Sequence, residues 1–197
     1  SNSFGNDAEK DTAGCRALIR KYIVIGVVLM NFEAIRATVE NSTAMGYVHS
    51  CSWQKAYRNI IPDEIIDSFT VDQRTKVFEE VIQSRPEEYY LFQVDGQPAG
   101  IALLHKSHEE TATNLEGEIY AIYFHPDYWG TEATQRGLQF CSDRLKNLGY
   151  KQIHIWVLKE NQRARKFYEK HGFAFDGNTK EIVIGIPLLE MRYSKNI

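Results

Sequence analysis

From Phe32 onward, segments whose apolar side chains recur every second residue alternate with segments where they recur every third or fourth. That is the pattern of strands interleaved with helices. Residues 34–39 (AIRATV) predict a short strand, and Asn41-Ser42-Thr43 offers N-cap side chains for a helix to about Tyr57 with Ala44, Val48 and Cys51 inward. Pro62 in the first helical position, backed by Asp63 and Glu64, opens a short helix through Ser68. Val77, Phe78, Val81 and Ile82 then give residues 71–84 one apolar face. Residues 89–94 and 99–105 predict two strands about Asp95-Gly96, a hairpin signal. Residues 108–117 are polar and predict a loop, and 118–124 (EIYAIYF) predict a strand that His125-Pro126-Asp127 stops. Leu138, Cys141, Leu145 and Leu148 mark a helix over 130–148, with Gly149 just past its end. A strand at 151–158, a helix at 162–171 and strands near 173–176 and 182–193 complete the chain. No repeat, low-complexity tract or linker divides it. The expected fold is mixed α/β: about seven strands flanked by four or more helices. The helix between the strands at 118–124 and 151–158 predicts that these two run parallel.

Composition narrows this only slightly. A chain of 197 residues with 43% hydrophobic and 25% charged side chains suits one globular domain. The predicted elements assign 31–197 to that domain and leave 1–30 as a leading extension. Ser1-Asn2 reads as a tag remnant. Met30 reads as a candidate native start, and residues 22–29 as an alternative leading strand for a sheet or a neighbouring subunit, which keeps a homodimer open. The net charge of −3 provides no basic field for nucleic acid. The longest apolar run, residues 23–30, is too short for a bilayer, which takes about 20 residues, and lacks a signal-peptide layout. Cys15, Cys51 and Cys141 form neither a disulfide framework nor a zinc motif, the usage of a cytoplasmic protein. His105 and His108 are three residues apart with no third ligand nearby in sequence, so no metal site is expected.

Chemistry concentrates between residues 118 and 173: a strand, a sharp turn at HPDYWG, a long helix, a strand ending in Asn161, and a helix ending in Tyr168-Glu-Lys-His-Gly172-Phe173. The segments GEIYAIYFHPDYWG and NQRARKFYEKHGF, and more weakly SWQKAYRNIIPDEIIDSF and DGQPAG, resemble the GNAT superfamily of acetyl-CoA-dependent N-acetyltransferases over roughly residues 34–193. The resemblance implies that a splayed strand lays the backbone of Ile122, Tyr123 and Phe124 along the pantetheine arm of acetyl-CoA. It implies that Trp129, Gly130, Thr131, Ala133, Thr134 and Gln135 present a turn and helix N-terminus to the pyrophosphate. Asn161 matches an asparagine that binds the cofactor arm and reads equally as a helix cap. Tyr168 matches the family's tyrosine acid and reads equally as core, since Ala164, Phe167, Tyr168 and His171 share one helical face. Glu118 matches a strand carboxylate used as base in some members and reads equally as a solvated strand end. From Lys159 to His171, five Lys/Arg stand against two Glu. In that run Arg163 and Arg165 suit CoA phosphates, or a solvated helix face.

The pyrophosphate turn departs from the pattern (Arg/Gln)-x-x-Gly-x-(Gly/Ala): Gly130 remains, but Glu132 and Thr134 stand where small residues are expected. A carboxylate at about 6 Å from a phosphate would cost roughly 1–3 kcal/mol. That weakens binding by about one or two orders of magnitude unless Glu132 turns to solvent. The resemblance therefore implies transfer of acetyl from acetyl-CoA to a primary amine of a small molecule or peptide. The alternative is a non-catalytic binding or regulatory module on the same fold. The acceptor pocket is expected around Trp53, Tyr57, Tyr120 and residues 176–186.

Overall fold

A computed structural model of the chain describes residues 30–84, 88–109 and 112–197. The leading extension, the Met30 start and the strand expected at 22–29 fall on or depend on residues outside these. Seven strands and five α-helices are present among the described residues: β1 Phe32–Arg36, α1 Ser42–Ala56, α2 Asp63–Ser68, α3 Val71–Ser84, β2 Glu88–Val94, β3 Gln97–Lys106, β4 Glu116–Phe124, α4 Glu132–Asn147, β5 Gln152–Leu158, α5 Gln162–Lys170, β6 Ala174–Ile184 and β7 Ile186–Asn196. One sheet holds all the strands in the order β1-β2-β3-β4-β5-β7-β6. The mixed α/β architecture is the one expected. Asp95 and Gly96, at φ 50° and 76°, make the β2–β3 turn with the doubly positive geometry of a two-residue hairpin.

Two positions are corrected. The tail has no single strand over 182–193: Gly185, at φ 72°, reverses the chain, so that β6 and β7 form a long hairpin. The strand near 173–176 continues to Ile184 past an irregularity between Phe175 and Thr179.

The site is created where the sheet comes apart. β4 and β5 are parallel, as the crossover helix predicted, but pair over only three residues, Glu116–Glu118 with Gln152–His154. Along the other edge of β4 the register with β3 shifts between Leu103 and Leu104, opposite Ile119 and Ala121, which leaves Tyr120 as the extra residue of a bulge. Past this point β4 stays with β3 to the pair Gly100–Phe124 and leaves β5. On one face, α4 buries Leu138, Cys141 and Leu145. It comes so close that a Cβ at Gly137 would collide with the Phe124 ring. On the opposite face, Met45 and Val48 of α1 and Phe78 of α3 pack with Tyr89, Leu91 and Ile101. Tyr57, Ile61, Ile66, Leu158 and Leu188 form a third cluster.

Candidate active site

Between the diverging strands lies a cavity of about 660 Å³. Ten of the residues singled out from sequence line it: Glu118, Ile122, Tyr123, Phe124, Trp129, Gly130, Thr134, Asn161, Arg163 and Tyr168. From Ile119 to Phe124, β4 has no strand partner on its β5 side among the described residues, so this edge offers backbone groups along the cavity. At one end stands the start of α4. Its N-cap, Thr131, makes no side-chain cap, and helix geometry leaves the N–H groups of Glu132, Ala133 and Thr134 without intrahelical acceptors. Gly130, at φ 76°, sets the turn that aims them.

The two residues that break the turn pattern both have partners within the protein. Glu132 is solvent-exposed and held by Arg136, 2.6 Å away. Thr134 is buried, and its hydroxyl donates to the Thr131 carbonyl at 2.8 Å. The turn is also braced: Trp129 Nε1 donates to the Phe124 carbonyl at 2.8 Å, and the Arg163 guanidinium lies over the Trp129 ring, 3.0 Å from its centre.

Tyr168 is buried at 6% exposure, and burial pushes its phenol upward, so it keeps its proton. It is both a packed side chain and a wall of the cavity. Asn161 caps α5, its Oδ1 accepting from the Ala164 N–H at 3.2 Å, while its side chain borders the cavity.

Glu118 is no solvated strand end. It is 5% exposed and lies 3.6 Å from His154 Nε2 and 3.9 Å from His105 Nδ1. Burial alone would raise its carboxyl, but the His154 contact, the two imidazoles and the His108 backbone outweigh it and hold it below the ordinary value. The expectation that His105 and His108 lack a third ligand is likewise corrected. The fold carries Glu118 beside them, with candidate ligand atoms of all three within 4.8 Å of one another.

Four candidates lie off the cavity. Arg165 donates to the Tyr193 hydroxyl at 3.1 Å and the Lys159 carbonyl at 2.9 Å, which turns it to the sheet. The Ala133 methyl is buried, and Thr131 and Gln135 are exposed at the helix start. Of the expected acceptor residues, Tyr57, Tyr120, Lys180 and Ile182 line the cavity, and Trp53 does not. Trp156 was not anticipated. It lines the same cavity, donates to Glu109 at 3.1 Å and has Lys180 Nζ 4.1 Å from its ring centre. In sequence it is simply one aromatic of a strand.

The fold recurs in solved structures. The PaiA N-acetyltransferase of Thermoplasma acidophilum, solved with coenzyme A, superposes with a TM-score of 0.67 at 18% identity over 85% of this chain and 100% of that one. An N-acetyltransferase of Staphylococcus aureus gives 0.61 at 20% identity over 84% and 98%. The yncA structure of Salmonella typhimurium, solved with its cofactor acetyl-CoA, gives 0.60 at 15% over 84% and 93%. No curated protein matches the chain. Residues 53–173, more than half of the sequence, match the family described as acetyltransferase (GNAT). The chain belongs to the acetyltransferase (GNAT) family.

Proposed function

We propose that the protein transfers the acetyl group of acetyl-CoA to a primary amine by direct attack within a ternary complex. The observation that carries this is the early parting of β4 from β5 beside the uncapped start of α4. Unpaired strand edge and unpaired helix N–H groups lie along one cavity, a fit for an extended amide-bearing arm ending in a pyrophosphate. Acetyl-CoA supplies the activated thioester. Ile122, Tyr123 and Phe124 face the arm, Gly130 and the first turn of α4 face the phosphates, Asn161 steadies the arm, and Arg163 adds positive charge at the mouth.

In the transfer the amine nitrogen attacks the thioester carbonyl, a C–N bond forms and the C–S bond breaks. Glu118, ionised and bordering the cavity, takes the nitrogen's proton directly or through water. Tyr168, kept protonated by burial, gives a proton to the departing sulfur. Products are the N-acetylated amine and the CoA thiol. We place the reaction in the cytoplasm, where Cys51 and Cys141, both free in the fold, would stay reduced.

Calorimetric titration should show acetyl-CoA binding tighter than about 100 µM; absence of binding would favour the regulatory module. Tyr168→Phe should lower kcat by about 10²–10⁴-fold, as loss of a general acid does, and leave acetyl-CoA affinity nearly unchanged. Equal losses in both would make Tyr168 a packing residue only.

A further inference from the structure

Under β3 and β4, on the face covered by α1 and α3, a second cavity of about 590 Å³ is walled by His49, Trp53, Phe69, Arg74, Phe78 and Tyr123. Two of its polar atoms, His49 Nδ1 and Arg74 Nε, are buried and hydrogen-bond nothing among the described residues, and a third, Trp53 Nε1, meets the Tyr123 hydroxyl only loosely. Each unpaired atom costs about 1–3 kcal/mol, and folded proteins leave few of them. His49 itself is only 7% exposed. Two such atoms and a weakly held indole N–H around one hollow suit a polar ligand.

Charge says what kind. The Arg74 guanidinium is half-buried, with its carbon 5.2 Å from the Phe69 ring centre and 5.9 Å from that of Phe78. Among the described residues no carboxylate answers it. A desolvated guanidinium calls for an oxyanion, and its planar fork matches a carboxylate. The Trp53 N–H is a further donor on the same wall. The remaining surface is aromatic and suits an apolar body.

Position ties the cavity to the reaction. Tyr120, Ala121 and Tyr123 border both cavities. His105 on the rim of this one lies 3.9 Å from Glu118, which lines the other. We propose that the acceptor is an amine that also carries a carboxylate on an apolar body, as an apolar α-amino acid does: Arg74 and Trp53 take the carboxylate, and the amine is directed to Glu118. This rests on the acetyltransferase reading given above, and the product is an N-acetylated amino acid.

Two measurements separate the claims. With acetyl-CoA, L-phenylalanine and L-methionine should be acetylated with kcat/KM at least about tenfold above phenethylamine and L-phenylalanine methyl ester, since the ester and the bare amine leave Arg74 unanswered. Arg74→Met should abolish that preference and Arg74→Lys should retain part of it. Equal use of phenethylamine, or a preference that persists in Arg74→Met, would overturn the proposal while leaving acetyl transfer intact. N-acetyl-L-phenylalanine is titrated calorimetrically without cofactor as well, so that the cavity is tested even if no transfer occurs. It should bind wild type and lose about tenfold or more in Arg74→Met. Absence of binding to wild type, with no acid acetylated, would overturn it too.

Discussion

His49 shows what one buried residue does to the whole protein. Its imidazole sits among Trp53 of its own helix, Phe69, Phe78 and Arg74 from the segment beyond α2 and from α3, and Tyr123 from β4. Burial, helped by the Arg74 charge, pushes it down to about 3. In the unfolded chain it returns to about 6.5. Between those values the unfolded state carries a proton that the folded state lacks, so stability rises with pH across the window and falls on acidification, by at most about 1.4 kcal/mol per pH unit. Glu88, Glu118 and Asp176, all held below their ordinary values, add the same trend only at lower pH. Urea melts of wild type between about pH 5 and 6.5 should therefore show this slope. His49→Phe, which keeps a ring among rings, should flatten it whatever its effect on absolute stability. An unchanged slope would mean that His49 is not the titrating group.

At the scale of elements, helix ends and element ties decide more than composition does. Glu132 looked hostile to phosphate in the sequence, yet its i,i+4 pairing with Arg136 carries the carboxylate outward. Glu132→Gln should accordingly change acetyl-CoA affinity by less than about threefold; a tenfold gain would mean that the carboxylate faces the phosphates after all. At the other end of α4, Arg144 forms a two-point ion pair with Glu88 at the start of β2, and Tyr90 also donates to that carboxylate at 3.0 Å. Arg144 and burial act on Glu88 in opposite senses; Arg144 wins, and the folded-state value is lowered. The stabilisation is thus complete above about 4.5 and is lost as pH falls through the lowered value. Glu88→Gln should cost about 1–2 kcal/mol at neutral pH and almost nothing in strong acid, read from denaturant midpoints.

The same scale shows what could be read in advance. The helix Val71–Ser84 and the Asp95-Gly96 hairpin follow from local periodicity and turn chemistry, and both stand where the pattern puts them. The reversal at Gly185 lies inside IVIGIPLL, where no polar residue announces a turn, and β6 is too exposed to alternate. The strand–turn–helix side of the cavity was legible because those three elements are consecutive in sequence. The grouping of His49 and Arg74 with Trp53, and of Glu118 with His105 and His154, was not, because it depends on which faces of separate elements meet.

At the scale of the molecule, the described sheet has a weak seam. Backbone pairing between β1–β4 on one side and β5–β7 on the other is limited to three residue pairs of β4 and β5; side chains complete the joint, with Tyr123 of β4 packed against the cluster that holds Leu158 of β5 and Leu188 of β7. A ligand lying in the opening touches both sides, from Ile122 on β4 to Val157 on β5 and Arg163 on α5. Binding there closes the seam as well as filling a cavity. Linkage gives the size: ligand at one hundred times its Kd stabilises the folded state by about 2.7 kcal/mol. For a domain of this size each kcal/mol moves Tm by about 2–4 °C, so saturating acetyl-CoA should raise it by about 5–11 °C. Amide exchange should slow most along Ile119–Phe124 and in the first turn of α4, where strand edge and helix start lack partners, and least in β1 and β2. Stabilisation without protection along that edge would place the cofactor elsewhere. No shift at saturation would mean that acetyl-CoA does not bind in the opening.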